Sequence, residues 1–168
     1  TALQTIGSGA FQGNDQLTGT LKVGPAVTSI GDYAFYNTDL TEIDLSDATA
    51  LQTIGDGAFY DNTQLTGTLK LGPAVTSIGH FAFQKTGVTG LDLSDATALQ
   101  TIGSGAFQGN DQLTGTLKVG PAVTSIGGYA FRDTGLTELD LSDATALQTI
   151  GGRAFSNTQL NGTLKVGP

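Results

Sequence analysis

The sequence predicts a repeat solenoid, with short parallel β-strands on one face and turns and single helical turns on the other. Two periodic observations predict this fold class. An isoleucine recurs every 24 residues, at Ile6, Ile30, Ile54, Ile78, Ile102, Ile126 and Ile150. A phenylalanine recurs at the same interval, at Phe11, Phe35, Phe59, Phe83, Phe107, Phe131 and Phe155. Self-similarity at a fixed period is the signature of stacked repeats, each of which buries its apolar face against its neighbours.

Seven coils, each counted from its isoleucine, account for the whole chain, so residues 1–168 are predicted to form a single solenoid. Odd coils read IGSGAFQGNDQLTGTLKVGPAVTS and even coils IGDYAFYNTDLTEIDLSDATALQT in their first copies. The two kinds distribute their 24 residues differently, so the true unit is a 48-residue double repeat. Neither end carries a recognisable polar cap, which solenoids usually need. We therefore interpret the chain as a fragment of a longer array, or as a unit whose open ends meet other copies.

The elements within a coil follow from the local pattern. In TLKV and EIDL, apolar and polar residues alternate as in a half-buried strand, with Leu21 and Val23 inward and Lys22 outward. Gly-Pro or Ser-Asp-Ala ends each strand, because proline cannot donate to a ladder and aspartate favours turns. VTSIG and LQTIG predict a second short strand, and GDYAF predicts a single helical turn. About six inward apolar residues per coil cannot close a core, so the coils must stack.

These residues resemble the leucine-rich repeats, and more closely their BspA-like (Treponema pallidum-type) class. The resemblance rests on a recurrent IGxxAF, as at 78–83, followed by a leucine (a valine in coil 4) and then by L/I-x-L/V. It covers all seven coils. Even coils fit L-x-x-L-x-L through Leu40, Ile43 and Leu45, with Ala48 at the Asn/Cys position. The resemblance implies a curved leucine-rich-repeat-like solenoid with a parallel sheet on one face. It also implies surface-exposed bacterial or protist proteins that bind partners or host matrix.

Composition and charge exclude several classes of partner. The formal net charge is −8, whereas binding to nucleic acid needs a basic patch. No apolar run approaches the roughly 18–20 residues that span a bilayer, so we expect no membrane insertion. No positively charged leader precedes the first coil, which we interpret as a mature region or a fragment. The absence of cysteine removes disulfides, thiolate zinc sites and cysteine nucleophiles.

A charged row is predicted along the outward face of the strands. Lysine and aspartate alternate at one position, at Lys22, Asp44, Lys70, Asp92, Lys118, Asp140 and Lys165. Parallel strands lie roughly 4.8 Å apart, and opposite charges on neighbouring strands contribute roughly 0.2–1 kcal/mol per pair. A basic stripe for an anionic ligand would not interleave carboxylates. We therefore interpret the row as a structural charge ladder.

An aromatic row is predicted three residues after each isoleucine. That position reads Gly9, Tyr33, Gly57, Phe81, Gly105, Tyr129 and Arg153. Two interpretations remain open. The rings could cover the glycine backbone of neighbouring coils. Alternatively, Tyr33, Phe81 and Tyr129 could form a binding stripe for a protein or glycan partner, since aromatic side chains are enriched at interfaces.

Catalytic and cofactor-binding residues are not recognisable. His80 is the only histidine, and neither a second histidine nor a cysteine exists to complete a metal site with it. The aspartate of each SDA, at Asp47, Asp95 and Asp143, supplies one carboxylate per turn, fewer oxygen ligands than calcium requires. We therefore predict a protein without enzymatic activity, metal or cofactor.

Two functional hypotheses follow. The first is a non-catalytic extracellular or cell-surface segment that mediates adhesion or binds a protein or glycan. The alternative is a structural protein that self-assembles head to tail or into filaments, because uncapped ends invite stacking with other copies.

Overall fold

Short β-strands recur at regular intervals in the computed structural model of the chain, which describes residues 2–161 and residue 164. In chain order the strands are β1 (Thr5–Ile6), β2 (Thr18–Lys22), β3 (Ser29–Ile30), β4 (Asp39–Asp44), β5 (Thr53–Ile54), β6 (Thr68–Lys70), β7 (Ser77–Ile78), β8 (Gly90–Asp92), β9 (Thr101–Ile102), β10 (Thr114–Lys118), β11 (Ser125–Ile126), β12 (Gly135–Asp140) and β13 (Thr149–Ile150). Within the described residues no helix is present. Each two-residue strand ends at a recurring isoleucine.

The two-residue strands form one parallel sheet that runs along the solenoid. Its order is β1-β3-β5-β7-β9-β11-β13, so each coil pairs with the next one in sequence. The register aligns isoleucine with isoleucine, as Ile30 with Ile54 and Ile54 with Ile78. This arrangement confirms the predicted repeat solenoid of parallel strands.

The longer strands pair two by two within each 48-residue unit. The pairs are β2-β4, β6-β8 and β10-β12, three separate parallel sheets in which lysine lies opposite aspartate. The register shifts by one residue after Gly19 and Gly115, which adopt the left-handed region at φ +80° and +82°. Strands β4 and β6 of successive units do not pair with each other. The two units are joined there by a backbone hydrogen bond from the Thr66 N–H to Thr41 O, at 3.0 Å.

A stack of phenylalanine rings forms the centre of the core. Ring centroids of successive coils lie 5.0–5.3 Å apart, and the ring planes are within 4–9° of parallel. The five inner rings are at most 1% exposed, whereas Phe11 in the first coil is 43% exposed. Removing one such buried ring typically costs about 3–5 kcal/mol, so the stack is a major part of what holds the coils together.

The segment after each isoleucine forms two successive tight turns rather than the predicted single helical turn. In coil 2, the Ala34 N–H donates to Gly31 O at 3.2 Å, and the Tyr36 N–H donates to Tyr33 O at 3.1 Å. Tyr33, which the two turns share, and Asn37, which directly follows the second turn, are left-handed, with φ values of +54° and +52°. A left-handed residue cannot continue an α-helix, and the chain therefore bends back toward the strands.

The neighbouring coil explains why these turns prevail over a helix. The Tyr33 N–H donates to Asp56 O, and the Phe35 N–H donates to Ala58 O, both at 2.8 Å. A helix would direct these N–H groups along its own axis, within one coil. In the stacked arrangement every second N–H instead bonds to the next coil, so the backbone polar groups of each turn are satisfied by its neighbour.

The distance between coils requires glycine directly after each isoleucine. A Cβ built at Gly79 would lie 2.5 Å from the carbonyl carbon of Gly55, and one at Gly103 would lie 2.5 Å from that of Gly79. Real side chains do not approach backbone so closely, and only glycine permits this contact. Gly7 occupies the same position in coil 1, where the structure packs no coil against it and nothing lies within 4 Å.

A row of buried polar side chains follows the phenylalanines, three residues later. Its fully buried members are Thr38, Asn62, Thr86, Asn110 and Thr134. Asn62 Oδ1 accepts from the N–H and hydroxyl of Thr38, and Asn62 Nδ2 donates to Phe35 O at 2.7 Å. Asn110 repeats the pattern with Thr86. This row is not among the features predicted above, although asparagine and threonine alternate at these five positions at the 24-residue period.

We expect Gly103→Ala to lower the free energy of unfolding by about 2–3 kcal/mol, because the new methyl group would meet backbone that cannot move aside. Gly7→Ala is the matched control, since the same position in coil 1 has open space. Chemical denaturation of both variants measures the difference. Equal stability of the two variants would contradict the close approach of the coils.

Candidate binding surface

The aromatic row lies on the turn face, which is the surface formed by the tight turns after each isoleucine. Tyr33, Phe81 and Tyr129 are 44%, 41% and 37% exposed. A Cβ built at Gly57 would overlap the Tyr33 ring, and one at Gly105 would lie 2.5 Å from Phe81 Cδ1. Tyr33 and Phe81 therefore cover the glycine of the following coil, while a large part of each ring remains in solvent.

The rings occupy backbone positions that favour glycine. The φ values of Tyr33, Phe81 and Tyr129 are +54°, +56° and +60°. Coils 1, 3 and 5 place glycine at the equivalent position, where Gly57 and Gly105 have φ values of +59° and +63°, and coil 7 has an arginine at +58°. A left-handed backbone costs a residue with a side chain roughly 1–2 kcal/mol relative to the right-handed form. The even coils thus hold exposed aromatic rings against a local backbone preference.

A second group of rings lies beside the row in coils 2 and 3. The Tyr36 and Tyr60 rings stack at a centroid distance of 5.2 Å, and Tyr36 meets Tyr33 edge to face at 6.1 Å. The Lys85 ammonium lies 5.9 Å from the centroid of the Tyr60 ring. Rings and hydrogen-bonding side chains are therefore interspersed on the turn face.

Two arginines contact the last ring of the row. The guanidinium carbons of Arg132 and Arg153 lie 5.5 and 6.0 Å from the centroid of the Tyr129 ring. Arg153 Nη1 also donates to Tyr129 Oη at 3.4 Å, and Arg132 Nε pairs with Asp133 at 3.0 Å. The row therefore ends in a cationic environment within an acidic protein.

His80 lies next to the row and makes a structural contact. Its Nδ1 accepts a hydrogen bond from the Ser104 N–H at 2.9 Å. The side chains at the equivalent position of earlier coils do the same, because Asp32 accepts from the Asp56 N–H and Asp56 accepts from the His80 N–H. His80 thus continues a row of side chains that accept from the next coil.

The charge row is held together within each 48-residue unit. Ion pairs join Lys22 to Asp44 (3.7 Å), Lys70 to Asp92 (3.9 Å) and Asp95 (3.0 Å), and Lys118 to Asp143 (2.9 Å). Asp140 lies opposite Lys118 and raises its pKa, although the hydrogen bond and charge of Asp143 contribute more. Across the described residues no ion pair joins Asp44 to Lys70 or Asp92 to Lys118. Lys165, the last member of the predicted ladder, lies outside the described residues.

The aspartates of this row also close the turn that follows each strand. Asp44 Oδ1 accepts from the Ser46 N–H at 3.0 Å, and Asp92 Oδ1 accepts from the Ser94 N–H at 2.9 Å. These serine hydrogen bonds are the main reason that the pKa values of Asp44 and Asp92 lie below the ordinary 3.8, and the paired lysines add less. The carboxylates therefore act first as turn caps and second as ion-pair partners.

Two equivalent grooves open between successive units on this charged face. The first has a volume of about 400 Å³ and is lined by Asp44, Lys70 and Pro73, among others. The second has a volume of about 430 Å³ and repeats this lining 48 residues later with Asp92 and Lys118. The lysines of both grooves already pair with aspartates, so they are not free to bind an anionic ligand without breaking an ion pair.

Residues 2–161 and 164 contain neither a metal-ligand cluster nor a membrane-spanning helix. No cluster of three or more potential histidine, aspartate or glutamate ligands is present in that part of the chain. The same residues contain no helix of the length and apolarity that crosses a membrane.

The thermal midpoint should be highest between about pH 4 and pH 10. Asp44 and Asp92 have folded pKa values below 3.8, so their contribution is complete above that value and is lost as the pH falls through the lowered folded pKa. The pKa of Lys70 is raised above 10.5, mainly by Asp95, so its contribution is lost as the pH rises through the raised pKa. In an Asp44→Asn, Asp92→Asn variant, the thermal midpoint should fall less steeply as the pH is lowered below about 4. An unchanged fall would contradict the conclusion that these two carboxylates stabilise the fold.

We expect Asp92→Lys to lower the free energy of unfolding by about 1 kcal/mol, because it places three like charges in succession with Lys70 and Lys118. Asp92→Asn is the control, since it removes the charge but keeps an oxygen that can accept from Ser94. Thermal melts at low salt measure both variants. If Asp92→Lys melts no lower than the parent, the ladder does not stabilise the fold.

Comparison with known proteins gives a family and structural neighbours. The sequence matches the BspA type leucine rich repeat region, in six copies, over residues 1–114 and 28–162. A leucine-rich repeat protein from Bacteroides ovatus ATCC 8483 has a similar structure, with 23% identity and a TM-score of 0.59, over 94% of this chain and 45% of that one. A leucine rich cell surface protein from Faecalibacterium prausnitzii A2-165 has 21% identity and a TM-score of 0.45, over 94% of this chain and 43% of that one. None of the curated proteins matches the sequence.

The chain spans less than half the length of either solved protein. At this level of identity, the Bacteroides ovatus structure supports the fold alone. The family match covers nearly all of the chain and includes the recurrent IGxxAF segments. The chain belongs to the BspA type leucine-rich repeat family.

Proposed function

We propose that this chain is a non-catalytic binding segment of an extracellular or cell-surface protein, which mediates adhesion through a protein or glycan partner. The partner surface is the turn face, with Tyr33, Phe81 and Tyr129 as its main contacts. Extracellular placement is supported by the family to which the chain belongs, since the resemblance implies surface-exposed proteins.

One observation carries the proposal: exposed rings stand where the backbone favours glycine. Packing against Gly57 and Gly105 accounts for one side of the Tyr33 and Phe81 rings. It leaves about two fifths of each residue in solvent. Rigid aromatic side chains with little conformational entropy to lose are the residues that dominate binding energy at interfaces.

The non-catalytic part of the proposal is supported by the residues that are available. The only histidine, His80, uses Nδ1 to accept from a backbone N–H. Lys22, Lys70 and Lys118 of the charge row pair with carboxylates at 2.9–3.9 Å and are 58–78% exposed, so they lack the desolvation that tunes a catalytic amine.

Self-assembly is the alternative function, in which a second copy of this chain would stack on the apolar surface of coil 1. Leu3 and Phe11 are 66% and 43% exposed, and they line a groove of about 350 Å³ with Leu17 and Leu21. A second copy stacked on this surface would meet Gly7. Gly7→Ala should therefore abolish concentration-dependent light scattering without changing the fold, whereas a strict monomer at high concentration removes this alternative.

We expect a Tyr33→Gly, Phe81→Gly, Tyr129→Gly variant to fold and to lose partner binding. Glycine suits these φ values and is the residue that coils 1, 3 and 5 use, so the backbone should be retained. Pull-down from matrix proteins and glycan arrays, run with parent and variant, measures the effect. If every partner of the parent binds the variant equally well, the turn face is not the binding surface.

A further inference from the structure

The exposed rings of Tyr33, Phe81 and Tyr129, which we call platforms, are held in place by contacts with neighbouring coils. Tyr33 and Phe81 rest on Gly57 and Gly105 of the following coil, which have no side chain to lift the ring off the backbone. Tyr129 instead has two guanidinium groups beside it, 5.5 and 6.0 Å from its ring centroid, and stays 37% exposed. Because the ring is already ordered in the free protein, a ligand that stacks on it loses little of its binding free energy to ordering.

The platforms recur every second coil, about 10 Å apart. Successive coils are 5.1–5.3 Å apart along the inner phenylalanine stack. Two such steps separate one ring of the row from the next, which agrees with twice the roughly 4.8 Å spacing of parallel strands. The intervening coils carry glycine at this position, so the platforms are separate rather than continuous.

An extended β-1,4-linked glycan has a matching period. Consecutive pyranose rings in such a chain are turned over relative to one another, so the disaccharide is the repeat and every second ring presents the same face. The length of that disaccharide is close to two coil steps. A pyranose face carries axial C–H groups that pack on an aromatic ring, whose negative face attracts them.

Polar side chains flank the platforms and suit the hydroxyl groups of a sugar. The phenols of Tyr36 and Tyr60 lie beside the first platform, in stacked rings 5.2 Å apart. Beyond Phe81, the amides of Gln84 and Gln108 bond to each other at 3.1 Å and keep further donors and acceptors. Small-molecule sites combine apolar surface with a few placed polar groups in this way.

The regular separation of the rings favours a polymer with its own period over a protein partner. Protein interfaces concentrate their binding energy in a central, contiguous cluster surrounded by a polar rim. On the turn face, three rings are spaced equally along the solenoid axis, and the coils between them carry glycine at the same position. A chain that repeats at the same interval can use all three rings at once, and each further ring adds avidity.

We infer that the turn face binds an extended β-1,4-linked glycan, whose every second sugar stacks on Tyr33, Phe81 or Tyr129. This inference rests on the proposed function and narrows its ligand to one chemical class. The row length of five coils, from Tyr33 to Tyr129, corresponds to a stretch of consecutive sugars rather than to a single terminal sugar.

Isothermal titration of the full chain with soluble oligosaccharides tests the inference. The ligands are β-1,4-linked gluco- and N-acetylglucosamine oligomers long enough to span the row, with α-1,4- and β-1,3-linked gluco-oligomers of equal length as linkage controls. We expect binding of a β-1,4-linked oligomer and at least about tenfold weaker binding of the other linkages. The two β-1,4-linked series show whether glucose or its N-acetylated derivative is preferred.

The Tyr33→Gly, Phe81→Gly, Tyr129→Gly variant should bind the β-1,4-linked oligomer at least about thirtyfold more weakly than the parent. A Lys22→Gln, Lys70→Gln, Lys118→Gln variant on the charged face is the matched control and should bind like the parent. Failure of the parent to bind any β-1,4-linked oligomer, or equal binding by the glycine variant, overturns the inference. If the glycine variant still loses a protein partner in a pull-down, the inference fails while the proposed function stands.

Discussion

The structure depends on backbone hydrogen bonds that join each coil to the next, through the turns as well as through the strands. In the turns, every second N–H, such as those of Tyr33 and Phe35, donates to a carbonyl of the following coil. These bonds set the coil spacing near 5 Å, which is also the spacing at which the phenylalanine rings stack. The same spacing leaves no room for a Cβ after the isoleucine, so Gly79 and its equivalents follow from it.

Stacking at a fixed spacing turns each repeat position into a row on the surface. A residue type that occurs once per coil lies every 5 Å, and one that occurs only in even coils lies every 10 Å. The aromatic row has the longer period because glycine and an aromatic residue alternate at one turn position. The alternation also places the Tyr33 and Phe81 rings against glycine, where the backbone of the next coil supports them. Core geometry thus determines the spacing of the candidate binding platforms.

Most of the fold could be predicted from the repeat period. Few arrangements other than stacked coils can bury an isoleucine and a phenylalanine that recur every 24 residues. The prediction of a helical turn at GDYAF was wrong. It rested on the local propensity of residues within one coil, whereas the Tyr33 and Phe35 N–H groups donate to carbonyl groups of the next coil. The buried Asn62–Thr38 contact was missed for a similar reason, since its partners are 24 residues apart. At the site, the exposed ring positions were predictable, but their left-handed φ values and the pairing of Lys70 with Asp95 depend on three-dimensional turn geometry.

Hydrogen exchange of the turn amides tests this account most directly. If the coils are joined through the turns, the amides of Tyr33, Phe35 and Asn37 should exchange nearly as slowly as that of Ile30 in the continuous sheet, although Tyr33 and Asn37 are solvent-exposed residues. The amide of Asp32 on the same turn is an internal comparison. Exchange of the three turn amides at the rate of an open surface loop would contradict the central claim, because the platforms would then lack the backbone support that fixes their spacing.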